Sequence, residues 1–262
     1  GGARPDTLTG GSGDDTLKIN LTTEGDADTV DGKGGANTLE LSTGVHTLTT
    51  NSKLLNIQTI KTNSSGSQLD LTNQSEDFTI EVGAGTDNIK GGSGADTIKI
   101  NSAGQGDADT LDGGAGTSDI LQLSAGSHSF TDNSKLANVE TIKGHASSAT
   151  TVVLTGQLET LKVDGGSAGD TITGGNGDDI ITGGSGDDII AGGAGDDSLT
   201  GNADNDTFKV DGGTDTITDL ATGDIVVVSN SAKAQATGIT AFEATSDTKI
   251  IAGTAEFTAA SG

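Results

Sequence analysis

An aspartate returns every nine residues between 165 and 227: Asp170, Asp179, Asp188, Asp197, Asp206, Asp215 and Asp224. Two places after each stands an apolar residue: Ile172, Ile181, Ile190, Leu199, Phe208, Ile217 and Val226. The units that carry them read GGSAGDTIT, GGNGDDIIT, GGSGDDIIA, GGAGDDSLT, GNADNDTFK, VDGGTDTIT and DLATGDIVV, with the aspartate in position six. The same stretch holds thirteen aspartates, no glutamate and one basic residue, Lys209. Carboxylates brought together at this density repel unless a cation lies among them. A hard divalent ion fits, taking six or more oxygens from carboxylates and backbone carbonyls in a flexible geometry. Calcium is the natural ion, because magnesium demands a stricter octahedron and transition metals favour His or Cys, which this stretch lacks.

The elements that position these carboxylates follow from the same unit. Glycines at positions one, two and four permit a tight turn. The D-x-U-x half reads as a short strand with one inward side chain. Such a strand buries its face only by stacking on another rung, which is the logic of a solenoid. Two units make one coil, so aspartates eighteen apart in sequence share an edge: Asp170 with Asp188 and Asp206, Asp179 with Asp197 and Asp215, Asp206 with Asp224.

GGNGDDIIT, GGSGDDIIA and GGAGDDSLT resemble the repeat of the RTX (repeats-in-toxin) family. The resemblance implies an all-β fold, a right-handed parallel β-roll or β-solenoid with several Ca2+ ions in its turns. It also implies a ligand set: two carbonyls and the aspartate of one turn, with two carbonyls and the aspartate of the turn two units on. Carried over, one site takes Gly175, Gly177 and Asp179 with Gly192, Ala194 and Asp197. The next takes Gly184, Gly186 and Asp188 with Gly201, Ala203 and Asp206. Ala168 at position four and Asn202 at position two depart from the pattern.

The unit recurs more loosely upstream. GGARPDTLT and GGSGDDTLK at 1–18 are followed by Asp28 and, in GKGGANTLE, Asn37, so Asp6 is expected to stack with Asp28 and Asp15 with Asn37. Asparagine offers only a neutral oxygen, which predicts a weaker site. Residues 41–82 lose the turn motif but keep short alternating runs, read as rungs without calcium turns. GGSGDDTLKIN (10–20) then returns as GGSGADTIKIN (91–101), GDADTVDG (25–32) as GDADTLDG (106–113), and NSKLLNIQTIK (51–61) as NSKLANVETIK (133–143). The offset is 81 residues, then 82 after an insertion near Thr117. This second copy supplies Asp87, Asp96, Asp109 and Asp119 as further candidate ligands. The expected segments are 1–82 and 83–164, each a repeat block with a calcium-poor strand segment, then the tandem roll 165–227 and a cap or tail at 228–262, which is also compatible with a secretion segment.

Composition bounds the function. The chain has 262 residues, no Cys, Met, Trp or Tyr, and a net charge of −25. That charge disfavours nucleic acid and anionic membranes as partners, and no apolar run of about 18 residues spans a bilayer. No signal peptide is visible, and the missing initiator Met reads as a fragment or processed product. Without disulfides, metal must hold the fold, so the calcium-free chain is expected to be largely disordered. The position-five acids Asp14, Asp178, Asp187 and Asp196 read as solvated outer charges. DADTVDG at 26–32 has the look of an EF-hand loop, but its third acid is one residue late. His46 and His128 are equivalent through the duplication and read as structural. No catalytic motif is legible and the aspartates sit in equivalent rungs, so no enzyme is expected.

The duplication and the acidic, Thr/Ser/Gly/Ala-rich composition are similar to those of bacterial surface-layer (S-layer) proteins that carry RTX repeats. That likeness implies a secreted structural protein of a Gram-negative cell surface, exported by a type I system, folded by external calcium and self-assembling into a two-dimensional lattice or other homo-oligomer. A cell-surface polysaccharide, reached through another region, is the second expected partner. The alternative is an RTX folding and secretion module of a larger type I-secreted toxin, hydrolase or adhesin. A flat threonine array of the ice-binding kind is interrupted by Ala191 and Lys209.

Overall fold

An inward residue at every position eight demands a rung above and below it. The computed structural model supplies both. It describes residues 6–20, 23–24, 28–104, 108–228, 233–236, 250–252 and 256–259. Among these every regular element is a β-strand except one 3-10 turn, Asn51–Lys53, and every strand pairing is parallel. No helix among the described residues is long and apolar enough to cross a membrane. Internal contacts divide the chain into two units, Gly1–Gln122 with Ser134–Glu140, and Leu123–Asn133 with Thr141–Gly262.

The second unit contains the tandem roll. One sheet stacks Thr141–Lys143, Lys162–Gly166, Ile180–Ser185, Ser198–Ala203 and Thr214–Ile217. The other stacks Gly126–Ser129, Thr150–Val153, Thr171–Thr173, Ile189–Ala191, Thr207–Val210 and Ile225–Val228. Each successive nine-residue unit therefore feeds the opposite sheet, and two units complete a coil. Inward residues meet in register: Val163, Ile181, Leu199 and Ile217 on one sheet, Val152, Ile172, Ile190, Phe208 and Val226 on the other, all fully buried. Part of the expected tail extends these ladders through Lys233–Ala236, Ile250–Ala252 and Glu256–Ala259. The rest of 229–262, where the secretion-segment reading falls, lies outside the described residues, as do residues 1–5 of the first unit and 26–27 of the loop resembling an EF-hand.

The first unit follows the same plan with less regular turns. Thr16–Ile19, Thr38–Leu41, Thr59–Lys61, Thr79–Val82 and Thr97–Ile100 form one sheet. Gly44–Thr47, Ser67–Asp70, Asn88–Lys90, Thr110–Asp112 and Leu136–Ala137 lie in another. Segment 41–82, which loses the turn motif, thus supplies full rungs, as its alternation predicts. Leu17, Leu39, Ile60, Ile80 and Ile98 fill the interior, while Lys18, Glu40, Lys61, Glu81 and Lys99 alternate in sign along the outer face. Lys18 pairs with Glu40 at 2.6 Å and Lys61 with Glu81 at 2.9 Å. Opposite charges on directly paired strands stabilise the ladder by a few tenths of a kcal/mol per pair, at most about 1. His46 and His128 are buried in corresponding places and donate through Nε2 to the carbonyls of Ser42 (2.8 Å) and Ser124 (3.0 Å), a structural role. Burial holds His46 below the ordinary histidine pKa, in its neutral form.

Candidate metal centres

Position six is where strand meets turn, so a stack of rungs makes a stack of carboxylates along each edge. In the second unit one column runs Asp170, Asp188, Asp206, Asp224. Backbone N–H groups donate to the next coil's Oδ1, from Asp170 to Asp188 at 2.6 Å, from Asp188 to Asp206 at 2.9 Å and from Asp206 to Asp224 at 2.9 Å. The other column runs Asp179, Asp197, Asp215, with bonds of 2.8 and 3.2 Å. The first unit repeats the arrangement. Asp6 donates to Asp28 (2.7 Å) and Asp15 to Asn37 (2.9 Å). Asp87 donates to Asp109 (2.8 Å) and Asp96 to Asp119 (2.7 Å). Every pairing expected from the eighteen-residue spacing, and from the looser spacing upstream, is present.

These carboxylates are buried, apart from Asp6, which is exposed, and Asp15, which is half-buried. One oxygen of each buried carboxylate serves the ladder. The other Oδ2 is buried without a donor at Asp87, Asp109, Asp119, Asp170 and Asp188. Burial first, and then the neighbouring carboxylates, push Asp188 up to about 7, Asp197 and Asp206 to about 6, and Asp215 to about 8. Asp87 and Asp119 are raised to about 6 for the same reasons. Asp96, Asp109, Asp170, Asp179 and Asp224 are raised by burial as well. A buried carboxylate with a lone pair aimed at nothing needs a proton or a cation. Among the described residues no three His, Cys, Asp or Glu side chains gather at one point. A metal here takes two carboxylates and completes its shell with backbone carbonyls, an all-oxygen donor set that suits Ca2+.

The expected carbonyl ligands divide. In the first carried-over site, a Cβ placed on Gly174 would lie 2.0 Å from the Gly192 carbonyl and 2.7 Å from Asp179 Oδ2, so these two oxygens border one small space. The Gly175 and Gly177 carbonyls face the same following turn. Gly175 accepts from Ala194 N–H at 2.9 Å, and the Gly177 oxygen would lie 2.4 Å from a Cβ on Gly195. In the second site Asp188 and Asp206 are joined, but part of the backbone around them is drawn into the sheet: Gly184 (φ +125°) pairs with Gly166 and Asn202, and Ser185 with Ala203. Gly184, Gly201 and Ala203 thus lie in a ladder, and Gly186 N–H donates to Asp204 Oδ2 at 3.0 Å. Asn202 does not break the turn, because it adopts φ +74°, which asparagine tolerates better than most residues.

Two sets of residues escaped the sequence reading. Position-five acids are exposed, as expected, yet they form an outer ladder. Asp178 accepts from Asp196 N–H at 2.9 Å, Asp187 from Asn205 at 3.0 Å, Asp196 from Thr214 at 2.7 Å and Asp14 from Ala36 at 2.7 Å. The inner column also extends into the rungs whose turns lack glycine. Gln58 Oε1 accepts Asn37 N–H at 2.7 Å, and Glu140 Oε2 accepts Asp119 N–H at 2.7 Å. The signal for these two lay in the duplication, which aligns NIQTIK with NVETIK.

The model of the RTX calcium-binding nonapeptide repeat (four copies) matches residues 1–18, 20–40, 79–99, 164–199 and 182–217. No curated protein matches the chain. The chain therefore folds as an RTX β-roll and carries calcium-binding repeats in several copies, the class that the stacked carboxylates define. Such repeats are typical of secreted, extracellular proteins.

Proposed function

We propose that this chain is a calcium-dependent structural protein of a bacterial cell-surface layer, built to self-assemble and without catalytic activity. The observation that carries the reading is the columns of buried, donor-poor carboxylates in both units, interleaved with complete rungs that lack the calcium turn. A roll used only as a folding switch has little need of these extra rungs; a scaffold gains length and surface from them. The ligands proposed are the position-six residues, with the backbone of the turns between them. Calcium outside the cell folds the exported chain, because binding that exists only in the folded state is folding free energy. The same ion bridges acidic faces of neighbouring copies, and a cell-surface polysaccharide is met through another region.

Electron microscopy of the purified chain with and without calcium tests this reading. Ordered two-dimensional sheets that dissolve in EGTA are expected. Monodisperse monomers that fold in calcium but never assemble would overturn the lattice and favour a folding module of a larger type I-secreted toxin, hydrolase or adhesin.

A further inference from the structure

The duplication provides two copies of one backbone cradle with different chemistry in each. In the first copy Asn37 fills position six. Its Oδ1 accepts Asp15 N–H at 2.9 Å, while its Nδ2 donates to the carbonyls of Asn56 (2.9 Å), Gly34 (3.3 Å) and Gly35 (3.4 Å). The next coil presents a neutral amide, Gln58. This rung supplies its own donor to its own carbonyls.

In the second copy the corresponding residues are Asp119, Asn138 and Glu140. The backbone is the same: Asn56 and Asn138 are left-handed at φ +55° and +51°. A Cβ on Gly32 would meet Asn37 Nδ2 and the Asn56 carbonyl, both at 2.4 Å. One on Gly113 would meet the Asn138 carbonyl at 2.0 Å and Asp119 Oδ2 at 2.7 Å. Asp119 Oδ2 therefore stands where the Asn37 amide nitrogen stands, beside the equivalent carbonyl, with no donor and fully buried. Two oxygens facing one space repel unless something positive lies between them. The charged groups that bear on Asp119 are all acidic: Asp96, Glu140 and Asp112. Glu140 brings a second carboxylate to the coil that follows.

We propose that Asp119 and Glu140, with the Asn138 carbonyl, form a further divalent-cation site, and that its counterpart at Asn37 and Gln58 is closed by the asparagine amide acting in place of the ion. The turn before Glu140, SKLANV, has no glycine, and it lies outside every stretch that matches the repeat model. The oxygen-only donor set selects Ca2+. This site rests on the calcium reading of the repeats, since the same ion fills both.

Native mass spectrometry at matched free calcium counts the ions per chain. Glu140→Gln should bind one ion fewer than the wild type and keep its β circular dichroism, because Gln58 already serves that rung in the first copy. Asn37→Asp combined with Gln58→Glu should bind one ion more than Asn37→Asp alone. Unchanged stoichiometry in both comparisons would overturn the site while leaving the repeat sites standing. A wild type that binds no calcium would overturn both.

Discussion

Replacing Asp188 by asparagine should stabilise the calcium-free roll and weaken its response to calcium. Asp188 sits mid-column, accepting the N–H of Asp170 at 2.6 Å and donating its own to Asp206 at 2.9 Å. Burial, with the charges of Asp206 and Asp170, holds it at about 7. Against an ordinary value near 3.9, and at roughly 1.4 kcal/mol per pKa unit, its ionised form costs the folded state up to about 4 kcal/mol above pH 7. Asparagine removes that cost and keeps the acceptor for Asp170. Its amide would face the places of Ser185, Gly186 and Gly201, which correspond to the carbonyls that Asn37 uses. Alanine relieves the charge as well but leaves the Asp170 N–H buried and unpaired, so it should fall about 1–3 kcal/mol below asparagine. With the proposed ligand sets Asp188 would border two ions, one toward Asp170 and one toward Asp206. An ion at 100 times its Kd adds about 2.7 kcal/mol, so the increment from calcium should shrink by up to about 5 kcal/mol. Without Trp or Tyr the readout is far-UV circular dichroism. In EGTA the trimethylamine oxide concentration needed to fold the chain should fall for Asp188→Asn, and in calcium the urea midpoint should gain less than in the wild type. An asparagine variant harder to fold in EGTA, or one with an undiminished calcium increment, would refute the reasoning.

Three further outcomes follow from the same geometry. The raised values at Asp87, Asp119, Asp197 and Asp206 (about 6), Asp188 (about 7) and Asp215 (about 8) mean that the folded chain binds protons the unfolded chain does not. The calcium-free fold should therefore gain stability as pH falls from about 8 toward 5 and lose it as pH rises, read as β signal in EGTA across that range. Gly174→Ala drives a methyl to 2.0 Å from the Gly192 carbonyl and should cost about 1–3 kcal/mol while weakening the Asp179–Asp197 site, whereas Gly13→Ala, with nothing within 4 Å, should be close to neutral by thermal melts in calcium. Phe208→Ala empties a fully buried position and should cost about 3–5 kcal/mol by urea unfolding, with the calcium stoichiometry unchanged.

Strand phase and coil length were legible because two constraints repeat together. The inward residue fixes which face is buried, and the aspartate fixes where the strand meets the turn. Even Asp215 and Asp224, in units without the glycine pair at positions one and two, keep their columns because Ile217 and Val226 keep the register. The individual ligands were less legible. Whether a turn carbonyl faces its neighbour's aspartate depends on backbone φ at a few residues, and Gly184 enters a strand ladder that its glycine pattern does not distinguish from the turn at Gly175. Gln58 and Glu140 were hidden because they use a longer side chain from a turn with no glycine. Position-five acids read as solvent charges because their partners are backbone N–H groups one coil away, which no local pattern reveals.

The central claim is that calcium, by occupying the carboxylate columns, turns an acidic chain into a roll. Far-UV circular dichroism during a calcium titration at pH 7.5 tests it most directly. The expected result is a cooperative conversion from coil to β signal that EGTA reverses and that magnesium at the same concentration does not produce. A spectrum unchanged by calcium, or one that magnesium changes equally well, would contradict the account.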